Sequence, residues 1–185
     1  MIELFNMSVI RVLTIFSLSP GSRLTRQMLK EKTKLSNVIL NNSLNTLLNY
    51  KFIKKEGKPF SLNFENLEVK VIIEMVSKQY NKLKHLPLKE YFMILDIFEE
   101  ISKIEGVENA YLFGSYSKLL FKEISDIDIA IVSNNVKKKD LTNIIRKLER
   151  KYNKTIEIHF FTKEFYNNKR DPLVKDILNN GVKII

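Results

Sequence analysis

Apolar side chains in the first segment recur at Ile10, Leu13, Phe16 and Leu18, a near-helical spacing that Ser19-Pro20-Gly21-Ser22 breaks. Thr25 can then cap a short helix over Arg26 to Glu31, with Met28 and Leu29 as its inward positions. After a turn at Thr33 to Leu35, Ser36 can cap a third helix. Its apolar stripe reads Val38, Ile39, Leu44, Leu47 and Leu48, leaving Asn37, Asn41, Asn42, Asn45 and Asn49 largely outside. From Phe52 to Leu62 the pattern becomes an alternation around Gly57, which predicts two short strands joined by a turn.

A longer helical period runs from Leu67 to Leu86 through Val69, Ile72, Ile73, Val76, Tyr80 and Leu83, and stops before Pro87. Such a stripe suits packing or homodimer formation better than a flexible linker. Leu88 to Ile104 is helical again, with Tyr91, Ile94, Leu95, Ile97, Phe98 and Ile101 apolar. Beyond Gly106 the period changes: a strand over Val107 to Phe113 runs into Gly114-Ser115, and a second, Ile127 to Val132, follows Ser125-Asp126. The expected organisation is a domain over 1–66, a linking amphipathic helix over 67–87 and a domain over 88–185, in the α+β class.

Charge is uneven between these parts. Of a net charge of +10, residues 1–87 carry +8, and a positive field of that density attracts polyanions, so double-stranded DNA is the partner expected for the first part. The chain has no cysteine, so a metal must be held by oxygen or by one of two histidines, and a cytoplasmic location is expected. Glu3 and Arg11 interrupt the first apolar stretch, and no run approaches the length of a membrane span; no membrane association is expected.

The second part carries chemistry. Asp126 and Asp128, two apart, share a strand face, and like charges so close to a buried strand call for a divalent cation between them. Magnesium, which accepts carboxylate and phosphate oxygens together, is the expected ion. Gly114 lets a phosphate approach the backbone, and Ser115 can donate to it through its amide and hydroxyl. Leu119, Leu120 and Phe121 are apolar in a loop that should be polar, which fits either a core contact or a docking surface for a protein partner.

From Thr25 to Leu62 the sequence resembles the winged helix-turn-helix family, a Ser-capped helix running through "LNTLLNYKFIKKEG" into a basic hairpin. The resemblance implies that the Ser36 to Asn49 helix enters the major groove. Lys54, Lys55 and Lys58 would then reach phosphates, Arg23, Arg26 and Lys34 would flank them, and Asn37, Asn41 and Asn42 would read bases, adenine being the usual partner of asparagine.

"LFGSYSKLLFKEISDIDIAIV", Leu112 to Val132, resembles the signature of the DNA polymerase beta-like nucleotidyltransferases: Gly-Ser, nine residues, then Ser-Asp-Ile-Asp. The likeness continues through a helix at Lys138 to Tyr152 and a strand at Thr155 to Phe161 to the closing "DPLVKDILNNGVKII". It implies a small mixed sheet flanked by helices and transfer of a nucleoside monophosphate, AMP from ATP or the equivalent from another nucleoside triphosphate. Gly114, Ser115, Lys118 and Ser125 would hold the nucleotide, and Asp126, Asp128 and Glu157 would bind two magnesium ions and do the catalysis. In antitoxin-like members the same domain senses nucleotide or docks a protein. Two departures stand out: Lys118-Leu119 replaces a frequent Arg-Gly, and Glu157 replaces the commoner aspartate, moving the carboxylate by about an ångström, enough to reduce catalysis. His159 shares the face of Glu157, where it either touches nucleotide or acceptor or serves structure.

Overall fold

The computed structural model describes residues 6–185, so Glu3 lies outside the described residues. The described residues form two compact units, divided between Lys84 and His85. Among the described residues no helix is long and apolar enough to cross a membrane.

In the first unit α1 (Met7–Leu18) is capped by Asn6, whose side chain accepts from the Val9 amide at 2.9 Å. Every residue from Val9 to Phe16 is buried, so α1 is the central element, packed by α2 (Arg26–Thr33), α3 (Asn37–Asn49) and α4 (Glu68–Asn81). That enclosure includes Arg11, which donates to the Thr33 carbonyl, and Thr14, which donates to the Ile10 carbonyl. It also differs from the stripe read in the sequence: Val9, Val12 and Ile15 are buried and Leu18 is exposed.

Thr25 and Ser36 cap α2 and α3 through their side chains, as their residue types dictate. The buried face of α3 is Leu40, Ser43, Leu44 and Leu47, spaced i, i+3, i+4, i+7, whereas Val38 and Ile39 in its first turn are exposed, as is Met28 on α2. Proximity to the N-cap places those two residues ahead of the point where α3 meets α1. Strands β1 (Leu24–Thr25), β2 (Ile53–Lys55) and β3 (Pro59–Leu62) form an antiparallel sheet in the order β1-β3-β2. Gly57 turns the β2–β3 hairpin at φ +69°, a conformation in which a Cβ is strained. The helix expected to link the halves is α4, which packs on α1 through Val69, Ile72 and Val76.

The second unit begins with α5 (Leu88–Ser102) and has a mixed sheet ordered β6-β5-β4-β7. Strand β4 (Asn109–Phe113) runs antiparallel to β5 (Ile127–Val132) and to β7 (Val182–Lys183); β5 and β6 (Ile156–Phe161) are parallel. A parallel pair needs a crossover, and α7 (Lys138–Tyr152) supplies it, burying Leu141, Ile145 and Leu148 and ending at Asn153 in the left-handed conformation. The buried Asp96 of α5 accepts from Lys151 at 2.6 Å and from the Tyr152 hydroxyl, tying α5 to α7. The other face of the sheet packs Tyr111, Phe113, Ala130 and Val132 against Phe165, in the 3-10 turn Lys163–Tyr166, and against Val174 and Ile177 of α8 (Pro172–Asn180).

Candidate functional site

Beyond the cover of α8, the same sheet face turns polar. In the register of β4, β5 and β6, Phe113 stands opposite Asp128 and Asp128 opposite Glu157, with Ala130 opposite His159. Side chains two apart share a face, so Asp128, Glu157 and His159 converge: one ligand atom from each lies within 4.8 Å of the others. His159 Nε2 is 3.3 Å from Glu157 Oε1, and the Phe113 ring meets the imidazole edge-on at 5.2 Å.

Strand β4 ends at Gly114, where the chain turns into the single helical turn α6 (Gly114–Ser117). Two constraints fix glycine here. Its φ is +68°, and a Cβ built on it would lie 2.0 Å from Asp128 Oδ2. The bend is thus pressed against the carboxylate, and the Ser115 backbone amide favours its charged form.

Burial holds the Asp128 carboxyl above its ordinary range, and the neighbouring Glu157 charge adds to the shift, as does Asp126; His159 and the Ser115 amide oppose it. The site therefore concentrates negative charge at the edge of a hydrophobic layer, an arrangement that a bound cation would relieve.

Of the residues read from sequence, Asp128 and Glu157 are brought together and Gly114 and Ser115 lie against Asp128. Asp126 sits one residue ahead of β5, exposed; it is outside the three-residue cluster, though near enough for its charge to act on Asp128. Ser125 accepts from the Lys122 amide at 2.8 Å, closing the loop before β5. Lys118 is held by Asp176 of α8 in a two-oxygen ion pair at 2.8 and 2.9 Å, and this contact lowers the Asp176 pKa. His159, which the sequence left between two roles, joins the cluster.

A cleft of about 860 Å³ opens at the same ends of β5 and β6 but on the α5–α7 side, lined by Tyr116, Phe121, Ser125, Tyr152 and Thr155 among others. Tyr116 and Phe121 stack at 4.4 Å, so Phe121 is a packing contact, while Leu119, Leu120 and Ile124 of this loop are exposed.

In the first unit Arg26 gathers the polar face of α3: its Nε donates to Asn41 Oδ1 at 2.8 Å and its Nη2 to Asn37 Oδ1 at 3.1 Å. Asn42 is exposed on the same helix and Lys34 follows α2 at φ 56°. At the hairpin Arg23 and Lys54 both pair with Glu56, Lys55 lies over the Phe60 ring at 5.6 Å, and Lys58 is exposed beside Gly57.

Among solved structures the chain is similar to a mutant of the toxin–antitoxin pair MntA–HpeT, at 19% identity over 49% of this chain and 68% of that one, with a TM-score of 0.36. It is also similar to a MarR family protein of Mycobacterium tuberculosis, at 14% identity over 54% of this chain and 76% of that one, with a TM-score of 0.30. No curated protein matches the sequence. Residues 93–184, about half of the chain, match the family model described as a nucleotidyltransferase domain. By that match, the C-terminal unit carries a nucleotidyltransferase domain.

Proposed function

We propose that this protein transfers a nucleoside monophosphate, AMP from ATP in the first instance, to an acceptor hydroxyl with release of pyrophosphate. The observation that carries the reading is the contact of Gly114 with Asp128: a left-handed glycine bend and a serine amide pressed on a carboxylate whose parallel neighbour is Glu157. The donor set fits a divalent metal, because its anionic oxygens repel one another until a cation joins them. Asp126, Asp128 and Glu157 would hold magnesium, which when bound neutralises triphosphate charge and stabilises in-line displacement at the α-phosphorus. Gly114 admits the triphosphate to the backbone, and the Ser115 and Ser125 hydroxyls donate to its oxygens. Lys118 adds positive charge by exchanging Asp176 for phosphate. In place of its part in the metal site, Glu157 would take the proton of the attacking hydroxyl as general base.

Isothermal titration tests the site. Magnesium-dependent ATP binding is expected in the intact protein and absent after Asp126→Ala with Asp128→Ala; binding that survives the double substitution would overturn the assignment. Incubation with labelled triphosphates and cell extract then identifies the acceptor from the species that becomes labelled.

The first unit supports a second activity. Its α2–turn–α3 arrangement followed by the basic β2–β3 hairpin fits a winged helix-turn-helix that binds double-stranded DNA, with Asn37, Asn41 and Asn42 toward bases, Lys54, Lys55 and Lys58 toward phosphates, and Arg23, Arg26 and Lys34 flanking, Arg26 also orienting Asn37 and Asn41. The two activities are compatible, since DNA binding would localise the transferase. The alternative is a DNA-binding regulator whose C-terminal domain senses nucleotide or docks a protein; retained triphosphate binding with no labelled product would favour it.

A further inference from the structure

Of the three clustered side chains, His159 has no part in the proposed reaction. Its Nε2 stands 3.3 Å from Glu157 Oε1. Two donors bound side by side to one ion, each at about 2.1 Å, are themselves about 3 Å apart, so this pair already has nearly the separation of two ligands of a single ion. Asp128 presents its ligand atom within 4.8 Å of both. Strand periodicity aims the imidazole to the carboxylate side, and the edge-on Phe113 ring, 73° from the imidazole plane, packs against it. With 29% of its side chain exposed against 57% for Glu157, it is also the more sheltered of the two.

We infer that His159 is a nitrogen ligand of the divalent ion held by Asp128 and Glu157, and that this donor makes the site prefer Mn²⁺ to Mg²⁺. The inference deepens the transferase reading and rests on it for the purpose of the ion. Mg²⁺ is a hard cation that dehydrates reluctantly and is suited by oxygen donors, whereas imidazole is a good ligand for first-row transition ions. Mn²⁺ accepts both kinds of donor and keeps the octahedral coordination that a triphosphate substrate needs.

The test uses the full chain stripped of metal by chelation. Mn²⁺ is titrated while the free aquo ion is followed by electron paramagnetic resonance, and Mg²⁺ affinity is measured by competition. Wild type is expected to bind Mn²⁺ at least about tenfold more tightly than Mg²⁺, and His159→Ala to lose at least about tenfold in Mn²⁺ affinity with a smaller change for Mg²⁺. Spin-echo modulation of bound Mn²⁺ in the wild type is expected to show a coordinated nitrogen that changes when histidine is ¹⁵N-labelled, a readout that needs no variant to fold. Bound Mn²⁺ without nitrogen modulation, or an unchanged Mn²⁺-to-Mg²⁺ ratio in His159→Ala, overturns the inference. Magnesium-dependent ATP binding alongside either result leaves the transferase reading standing. Nitrogen-coupled Mn²⁺ without any triphosphate binding does the reverse, and a wild type that binds neither ion overturns both.

Discussion

Gly114 and Gly57 offer a matched pair of perturbations. Both have a left-handed backbone, φ +68° and +69°, so alanine at either suffers the same backbone strain, about 1–2 kcal/mol. They differ in what the new methyl meets. At Gly57 nothing lies within 4 Å, whereas at Gly114 the methyl carbon would be 2.0 Å from Asp128 Oδ2. Ordinary contact requires the carboxylate to retreat by about 1.5 Å. The Asp128 backbone is fixed by pairing with β4 on one side and β6 on the other, so the side chain must leave its place near Ser115 and Glu157. Overpacking of this kind costs about 1–3 kcal/mol on top of the strain. Gly57→Ala should therefore cost about 1–2 kcal/mol and leave ATP binding intact, and Gly114→Ala about 2–5 kcal/mol with binding lost. The decisive measurement is a double-mutant cycle: in an Asp128→Ala background the carboxylate is gone, and Gly114→Ala should cost its backbone strain and the remaining tight 3.1 Å approach to the Cβ at position 128, a coupling of about 1–3 kcal/mol. Hydrogen exchange read by mass spectrometry at β4 and β5, and separately at β2 and β3, reports each unit without assuming that the whole chain unfolds at once. Equal costs for Gly114→Ala with and without Asp128 would refute the argument that glycine is required by the carboxylate.

Asp128→Asn should stabilise the metal-free protein while abolishing metal binding. The folded-state pKa of Asp128 is raised above 3.8 by burial and by Glu157, so the stability contributed by its neutral form is full below that value and lost as pH rises through the folded pKa. Asparagine stays neutral throughout; melting curves in chelator should show the variant's advantage opening as pH rises from 4 to 8, and a constant gap would contradict the assignment of the shift. For the first unit, changing Lys54, Lys55 and Lys58 to glutamine should flatten the dependence of log affinity for duplex DNA on log salt by about 0.9 for each phosphate contact removed. Binding that is insensitive to salt before the changes would rule out a phosphate-tracking surface. Arg26→Lys removes the fork that holds Asn37 and Asn41, so it should alter the preferred DNA sequence more than the salt slope; an unchanged sequence preference would count against that role.

Local signals in the sequence located most of this architecture. Thr25 and Ser36 announce helix starts because a short oxygen-bearing side chain satisfies an amide that the helix leaves open, and both do so here. The bounds of β5, from Ile127 to Val132, follow from an apolar run between turn residues, whereas α7 is expected from the likeness to the nucleotidyltransferases. Burial at helix ends was less legible, because Val38 and Ile39 are apolar but precede the part of α3 that meets α1. The ion pair of Lys118 with Asp176, 58 residues apart, depends on where α8 crosses the sheet, and nothing near Lys118 encodes that.

The membership of the site was the hardest part to read, and the reason lies in strand register. Spacing along one strand suggests Asp126 with Asp128, but Asp126 precedes the first paired residue of β5, while Glu157 and His159 arrive from a strand that returns only after α7. The alternation of β6 nevertheless constrains that return. Ile156 and Ile158 line the face toward α5 and α7, so a slip by one residue would turn the Glu157 carboxylate and the His159 ring into that apolar layer and bring both isoleucines out beside Asp128. An unpaired carboxylate in an apolar interior costs several kcal/mol, and exposing the buried Ile156 and the half-buried Ile158 adds to that cost. The pattern Ile-Glu-Ile-His thus commits both polar residues to the Asp128 face once β6 is known to lie beside β5. In the sequence that parity places His159 on the face of Glu157 but leaves its role open between site and structure; the register beside β5 brings it to Asp128, where its nitrogen is available to whatever ion the carboxylates hold.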